Sequence, residues 1–114
     1  MARCATPRAS WEGSALEQIL TTLQTRNAYS RAARSGPELD LLVFARGRRF
    51  GFELKLSEAP TVSRSIRTAI EALQLEKLWI VVPNGPGWDV DDRISVTPLA
   101  AVASTFRAAA EGHS

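Results

Sequence analysis

The sequence predicts a mixed α/β fold in which one β-sheet is flanked by helices. Apolar residues recur at helical spacing in residues 16–23 and again in residues 66–73, as in helices that cover a core. Residues 38–43 and 50–55 alternate in polarity and are separated by a short turn, which predicts a β-hairpin. Residues 78–82 form a continuous apolar run, which is typical of a strand buried on both faces. Because a predicted helix lies between the hairpin and residues 78–82, we expect residues 78–82 to form a strand that returns beside the first strands through a crossover.

The amino-terminal part predicts a lead-in, a helix and a short strand. Residues 1–9 are expected to form a flexible lead-in. Ser10 is a suitable cap for a helix that begins at Trp11 and ends near Asn27. Residues 28–34 give a weaker signal for a first strand. The helix residues expected to face the core are Leu16, Ile19, Leu20 and Leu23.

The carboxyl-terminal half predicts a second helix, two strands and a final helix. The second helix is expected to be capped by Thr61 or Ser63 and to run through Leu75. Residues 78–82 and 93–97 are the expected strands. The residues of the second helix expected to face the core are Ile66, Ala69, Ile70 and Leu73.

The last helix has its own start signal. Thr97 is expected to cap it, with Pro98 at the first helical position, and residues 111–114 are expected to form a tail. The loop before the last strand carries three carboxylates without the spacing of a calcium loop, so we interpret them as solvated loop charge. They are Asp89, Asp91 and Asp92.

The hairpin is the stretch around which the chain is organised. A two-residue turn at Arg46 and Gly47 sets a register in which apolar residues meet apolar partners. The same register places Asp40 opposite Glu53. A register shifted by two residues would keep the faces and place Asp40 opposite Lys55. The apolar pairs of the first register are Leu39 with Leu54, Leu41 with Phe52, and Val43 with Phe50.

Asp40, Glu53 and Lys55 are expected on the face of the hairpin opposite to these apolar pairs. Two facing carboxylates repel each other, and Lys55 offsets part of that repulsion. A divalent cation such as Mg²⁺, which takes carboxylate oxygens, water and phosphate, could offset the rest. Glu17 lies beside the apolar stripe of the first helix and could reach the same face. The alternative is a solvated face with an ordinary surface ion pair and an exposed helix glutamate.

Composition and charge exclude several classes of protein. The 114 residues, 45% hydrophobic and 23% charged, predict one domain spanning residues 1–114. No apolar run is long enough for a membrane span, and the amino terminus lacks the apolar core of a secretory signal. Cys4 is the only cysteine, which excludes an internal disulfide and favours the cytoplasm. Lys55 and Lys77 are the only lysines, so the basic charge is mostly arginine, which suits phosphate contacts.

The order of elements around Asp40, Glu53 and Lys55 resembles the PD-(D/E)xK nuclease superfamily, whose common core is the same αβββαβ succession. In that superfamily the first acidic residue opens the second strand, which Asp40 matches. The (D/E)-x-K motif follows on the third strand, which Glu53-Leu54-Lys55 matches. The family's Pro-Asp appears here as Pro37-Glu38-Leu39-Asp40, with the acidic residue displaced. The resemblance implies a restriction-endonuclease-like core with a mixed sheet.

Four segments look more specifically like the uncharacterised C-terminal domain that follows AAA-type ATPase modules in prokaryotic proteins. This likeness implies an AAA-type ATPase module, in cis or in trans, as a partner. The chain carries no Gly-x-x-x-x-Gly-Lys-Ser/Thr motif, so ATP-dependent activity is not implied for this chain alone. The four segments are Trp11-Glu12-Gly13 with Glu17, Ser35 to Asp40, Phe52 to Lys55, and Leu78 to Val82.

The resemblance implies metal-dependent hydrolysis of nucleic-acid phosphodiesters, with DNA as the expected substrate. Asp40 and Glu53 would hold Mg²⁺ or Mn²⁺, and Glu17 would be an accessory ligand. Lys55 would orient the attacking water and neutralise developing charge. Arginines would position the phosphate backbone without reading its sequence. These arginines are Arg64 and Arg67 of the second helix, and Arg46, Arg48 and Arg49 at the hairpin turn.

Two other functions remain open from the sequence. The same fold can serve as a non-catalytic C-terminal docking or nucleic-acid-binding module of an ATPase-associated protein, because a fold does not decide a function. A protein-interaction domain could instead use Trp11, Trp79 or Trp88 as exposed anchors.

Overall fold

The computed structural model of the chain describes residues 7–26, 31–33, 39–45, 47–56, 62 and 64–111. Within these ranges six strands form one sheet, with helices on both of its faces. The predicted mixed α/β fold and its order of helix, three strands, helix and strand are confirmed. The elements are α1 (Pro7–Arg26), β1 (Arg31–Ala33), β2 (Leu41–Ala45), β3 (Arg48–Leu54), α2 (Arg64–Leu73), β4 (Lys77–Val82), β5 (Trp88–Asp89), β6 (Ile94–Pro98), a 3₁₀ turn (Leu99–Ala101) and α3 (Val102–Glu111).

The sheet has the strand order β1-β2-β3-β4-β6-β5. The pairs β1–β2, β2–β3 and β5–β6 are antiparallel, whereas β3–β4 and β4–β6 are parallel. Helix α2 therefore makes the crossover that parallel neighbours require, as the sequence predicts. The carboxyl ends of β3, β4 and β6 lie at the same edge of the sheet.

Both faces of the sheet are buried, each by its own core. The first core lies under α1 and α3 and is built on aromatic rings, with Phe52 and Trp79 stacked at 5.2 Å and Phe50 edge-on to Phe106 at 5.3 Å. The second core lies under α2 and consists of aliphatic side chains from both α2 and the sheet. The middle of the hairpin face that carries Glu53 is therefore apolar, and its polar residues lie at the two ends.

The first helix begins earlier than the sequence predicts. It begins at Pro7, so residues 7–9 are helical and do not belong to a lead-in, and Ser10 lies inside the helix. Proline suits the first helical position, because the amide hydrogen that it lacks would be unpaired there in any case. Residues 1–6 lie outside the described residues. Glu111 is still helical, which shortens the predicted tail.

Helix α2 ends at Leu73, two residues before the predicted end. Gln74 has a φ of 54°, in the left-handed region, and the N–H of Leu75 donates to the Ile70 carbonyl at 3.0 Å. This is a C-terminal capping geometry that stops a helix. The expected caps, Thr61 and Ser63, lie outside the described residues.

The last part of the chain also differs in detail from the prediction. Trp88 and Asp89 form an edge strand, β5, where the sequence predicts a loop. Thr97 does not cap a helix, because it is a buried residue of β6, and a 3₁₀ turn separates that strand from α3. No helix in the described ranges is long and apolar enough to cross a membrane.

Candidate active site

The register of the hairpin positions the candidate residues. Ala45 pairs with Arg48, so the connection has two residues, as predicted, and Gly47 in it has a φ of +77° that side chains disfavour. The predicted pairs Leu41 with Phe52 and Val43 with Phe50 are confirmed. The predicted pair of Leu39 with Leu54 is wrong, because Leu39 lies before β2 and packs in the second core.

Asp40 sits where the β2–β3 ladder ends. Its N–H donates to the Phe52 carbonyl at 3.2 Å, and its Oδ2 accepts the N–H of Leu54 at 2.8 Å. Both contacts are to the neighbours of Glu53, so Asp40 lies beside Glu53, as the sequence predicts. The side chain takes the place of the strand carbonyl that would otherwise accept from Leu54. One carboxylate oxygen thus closes the ladder, while Oδ1 makes no hydrogen bond to the residues that the structure describes.

Glu53 and Lys55 form an ion pair at the same end of β3. Lys55 Nζ lies 3.5 Å from Glu53 Oε2, and their side chains are 35% and 18% exposed. Glu53 pairs in register with Ile80 of β4, and the N–H of Lys55 donates to the Val81 carbonyl at 2.9 Å. The parallel strand β4 therefore holds the backbone of both residues, and the Lys55 head group remains open to solvent.

The three residues lie at the carboxyl edge of the parallel strands. Ligands of open α/β sheets bind outside this edge. Glu53 comes just before the end of β3, and Lys55 comes directly after it. The fold thus places the Asp40, Glu53 and Lys55 group at a position that is favourable for a ligand.

The structure does not bring Glu17 to this group. Glu17 is an exposed residue of α1, which covers the face that carries Phe50 and Phe52. Glu53 alternates with Phe52 along β3, so it faces the other way. Among the described residues, no group of three or more His, Cys, Asp or Glu side chains could hold a metal ion. Within the described ranges, the carboxylates that could hold a metal here are those of Asp40 and Glu53.

Arg48 and Arg49 lie at the opposite end of β3 from Glu53. Arg48 Nη1 donates to the Ala109 carbonyl of α3 at 3.3 Å, and Arg49 Nη1 donates to the Leu73 carbonyl of α2 at 3.1 Å. The last carbonyls of a helix lack partners within the helix, and a cation there also complements the helix dipole. Each arginine therefore ties the hairpin to the end of one helix. Arg46 lies outside the described residues.

The two arginines of α2 differ in their surroundings. Arg64 is exposed at the start of the helix. Arg67 makes an ion pair with Asp91, with Nη1 at 2.9 Å from Oδ2. Arg67 is thus already matched by a carboxylate, and Arg64 is the better candidate for a phosphate contact.

Asp91 is a structural residue and not simply solvated loop charge. Its Oδ1 accepts the N–H groups of Arg93 at 2.8 Å and Ile94 at 3.2 Å, which shapes the turn before β6. The hydrogen bond from the Arg93 backbone, and then that from the Arg67 side chain, lower the pKa of Asp91 below its usual value. Asp89 likewise accepts the Ser95 hydroxyl at 2.7 Å. The carboxylate two residues before Arg93 is the sequence signal for this turn.

A cleft of about 680 Å³ lies away from the carboxylate pair. It is lined by the end of α2 and by the turn before β6, with Arg67, Asp91 and Arg93 at its wall. This is the amino edge of the parallel strands, and the cleft contains neither Asp40 nor Glu53. We favour the carboxyl edge as the candidate site, because it holds the converging charged groups.

The tryptophans give little support to a common interaction surface. Trp79 is 1% exposed within the first core, and Trp11 packs against that core. Trp88 is 40% exposed on the edge strand β5. Of the three, only Trp88 could act as an exposed anchor.

Two curated proteins are similar to this chain. They are the uncharacterized protein Rv2008c of Mycobacterium tuberculosis and the uncharacterized protein Mb2031c of Mycobacterium bovis. Each is 38% identical over 97 residues, which is 85% of this chain and 22% of the relative. The chain thus spans about a fifth of the length of the curated relatives that it matches. No family model and no solved structure matches the chain.

Proposed function

We propose that this domain is a metal-dependent nuclease of the PD-(D/E)xK type, hydrolysing phosphodiester bonds of nucleic acid, with DNA as the expected substrate. One observation carries the proposal. The fold places Asp40 beside Glu53 at the carboxyl edge of the sheet, with the Lys55 ammonium 3.5 Å from Glu53. A cytoplasmic location and an ATPase module as partner, in cis or in trans, complete the proposal.

The donor set fits a hard divalent cation. Mg²⁺ is commonly held by one or two carboxylates and completes its shell with water and substrate phosphate. Asp40 would contribute Oδ1 and Glu53 a carboxylate oxygen, since Oδ2 of Asp40 is used by Leu54. When bound, Mg²⁺ or Mn²⁺ supplies an activated water and stabilises negative charge on the phosphate.

The remaining roles belong to residues of the chain itself. Lys55, 35% exposed, would place its ammonium against the attacking water or the phosphate and neutralise developing charge. The hydrogen bond from Leu54 fixes the Asp40 carboxylate, which limits the reorganisation that a loosely held ligand would need. Arg64, exposed at the start of α2, would contact the phosphate backbone and add affinity without sequence preference.

A second candidate is a non-catalytic docking or nucleic-acid-binding module. The hydrogen bond between Leu54 and Asp40 favours it, because this bond gives the carboxylate a structural role that needs no metal. In that case removal of metal would change neither the fold of the domain nor its binding to the partner. Cleavage distinguishes the two functions.

The test is a nuclease assay on single-stranded DNA, duplex DNA and RNA with Mg²⁺ or Mn²⁺. We expect cleavage that EDTA abolishes and that Glu53→Gln lowers at least about 100-fold, since removal of one key charge-stabilising group costs 10²–10³ in rate. Glu71→Gln, an exposed carboxylate of α2, is the matched control and should cleave like the native chain. Failure to cleave any of these substrates would favour the non-catalytic module.

A further inference from the structure

The turn end of the hairpin presents an aromatic ring that the proposed cleavage site does not use. Phe44 is 38% exposed, although its neighbours Val43 and Ala45 in β2 are buried. In the register it pairs with Arg49 of β3, and the Arg49 guanidinium carbon lies 5.9 Å from the centroid of the Phe44 ring. This distance is that of a cation–π contact. An exposed ring and a positive charge thus lie together at this end of the hairpin.

The charge of this surface comes from Arg49. Arg48, the preceding residue of β3, faces the other side of the sheet, where its Nη1 donates to the Ala109 carbonyl of α3. Arg49 donates one Nη1 hydrogen bond to the Leu73 carbonyl of α2, which holds its guanidinium in place. A guanidinium has five N–H donors, so further donors remain for phosphate. The backbone N–H of Glu76 donates to the Arg49 carbonyl at 2.6 Å, which holds the strand at this residue.

The surface lies on the same face of β3 as the candidate active site. Arg49 and Glu53 are four residues apart, so they share a face and lie about 13 Å from each other along the strand. The direct line between them is closed at Gly51 by the side chains of Leu39 and Leu75.

We propose that Phe44 and Arg49 form a stacking platform for an unpaired base, so that the domain binds single-stranded nucleic acid. This inference rests on the proposed function only in taking nucleic acid as the ligand. An exposed ring beside arginine is the combination that proteins use to bind single strands, because every unpaired base offers a π-face and every nucleotide a phosphate. In a duplex the faces of the bases are already stacked on each other, and a surface ring cannot reach them.

The experiment measures binding of a labelled oligonucleotide by fluorescence anisotropy, in EDTA so that no cleavage occurs. We expect tighter binding of a single strand than of the duplex of the same sequence. Phe44→Ala should weaken single-strand binding about 5- to 100-fold, as loss of one base stack does, and Phe44→Tyr should restore it. Arg49→Gln should reduce the salt slope by about 0.7, the value for one phosphate contact on a single strand.

Trp88→Ala is the matched control, because Trp88 is 40% exposed at the opposite edge of the sheet. It should bind like the native chain, and thermal melting should show that all variants are folded. The platform would be overturned if Phe44→Ala bound the single strand as tightly as the native chain does. It would also be overturned if Phe44→Ala lost equal affinity for single strand and duplex, which would leave a duplex as the partner of this surface. Absence of binding by the native chain would overturn it too and would leave a protein as the partner. Cleavage that does not depend on Phe44 would refute the stacking platform and leave the nuclease proposal standing. Binding of the single strand without cleavage would refute the nuclease proposal and leave the platform standing.

Discussion

The Asp40 carboxylate accepts the backbone N–H of Leu54 at 2.8 Å, and so closes the β2–β3 ladder with a side chain. The hydrogen bond fixes Asp40 beside Glu53, the residue that precedes Leu54. The same contact therefore serves the fold and orients one of two carboxylates that would hold a metal. Substitutions that remove different atoms of Asp40 are therefore expected to affect the free energy of unfolding and the affinity for metal to different extents.

Asp40→Ala should lower the free energy of unfolding by about 1–3 kcal/mol, because the partly buried N–H of Leu54 loses its acceptor. Asp40→Asn keeps an oxygen that can accept this bond and should cost less than about 1 kcal/mol. Denaturant titration measures both changes. Equal losses for the two variants would show that the hydrogen bond does not stabilise the hairpin.

Phe52→Ala should lower the free energy of unfolding by about 3–5 kcal/mol, the usual cost of removing a buried ring. Phe52 is 0% exposed and stacks on Trp79. Lys55→Ala should cost no more than about 1 kcal/mol, because its ion pair with Glu53 is partly exposed. Chemical denaturation of both variants tests the assignment of the two faces. A larger loss for Lys55→Ala than for Phe52→Ala would contradict it.

Gly87→Ala should lower the free energy of unfolding by about 1–3 kcal/mol, as overpacking does. A Cβ at this position would lie 2.6 Å from the backbone carbonyl oxygen of Val96, which cannot move without disturbing β6. Gly13→Ala should instead stabilise the chain by about 0.5–1 kcal/mol, because Gly13 lies within α1 and an added Cβ would meet no atom within 4 Å. Opposite shifts of the melting temperature are expected, and shifts of the same sign would refute the close approach.

Asp91 should make stability depend on pH in the acidic range. Its pKa in the folded chain lies below the usual 3.8, first because of the hydrogen bond from the Arg93 backbone. The folded chain therefore binds this proton less readily than the unfolded chain does. The contribution of Asp91 to stability is present above pH 3.8 and is lost as the pH falls through the folded-state pKa. The melting temperature of Asp91→Asn should be below that of the native chain at neutral pH, and the difference should shrink in strong acid.

Asp92→Asn, an exposed neighbour, is the control for this comparison. A difference between the native chain and Asp91→Asn that stays constant, or that grows in acid, would contradict the assigned role of Asp91.

The alternation of the hairpin predicts much of the fold and the position of the site. Residues such as Leu41 and Phe52 specify a register, since a slip by one residue would expose them. Contacts between distant segments are not encoded in local patterns. Periodicity could not predict that Leu39 packs in the second core. It also could not predict that α1 covers the face of the sheet opposite to Glu53.

The roles of single polar side chains were also only partly predictable. The sequence places Arg48 and Arg49 at the turn, yet their hydrogen bonds to Ala109 and Leu73 depend on where α3 and α2 end. The acceptor role of Asp40 likewise depends on β2 beginning only at Leu41. Such contacts follow from tertiary packing, which overrides local patterns.

The proposed metal-binding pair of Asp40 and Glu53 can be tested by the binding of Mn²⁺. Electron paramagnetic resonance reports free Mn²⁺ as it is titrated with the native chain, with and without a phosphorothioate oligonucleotide that resists cleavage. We predict saturable binding that Mg²⁺ displaces, that the oligonucleotide strengthens, and that both Asp40→Asn and Glu53→Gln remove, while Glu71→Gln leaves it unchanged. Absence of Mn²⁺ binding by the folded native chain, with the oligonucleotide as well as without it, would contradict the proposal.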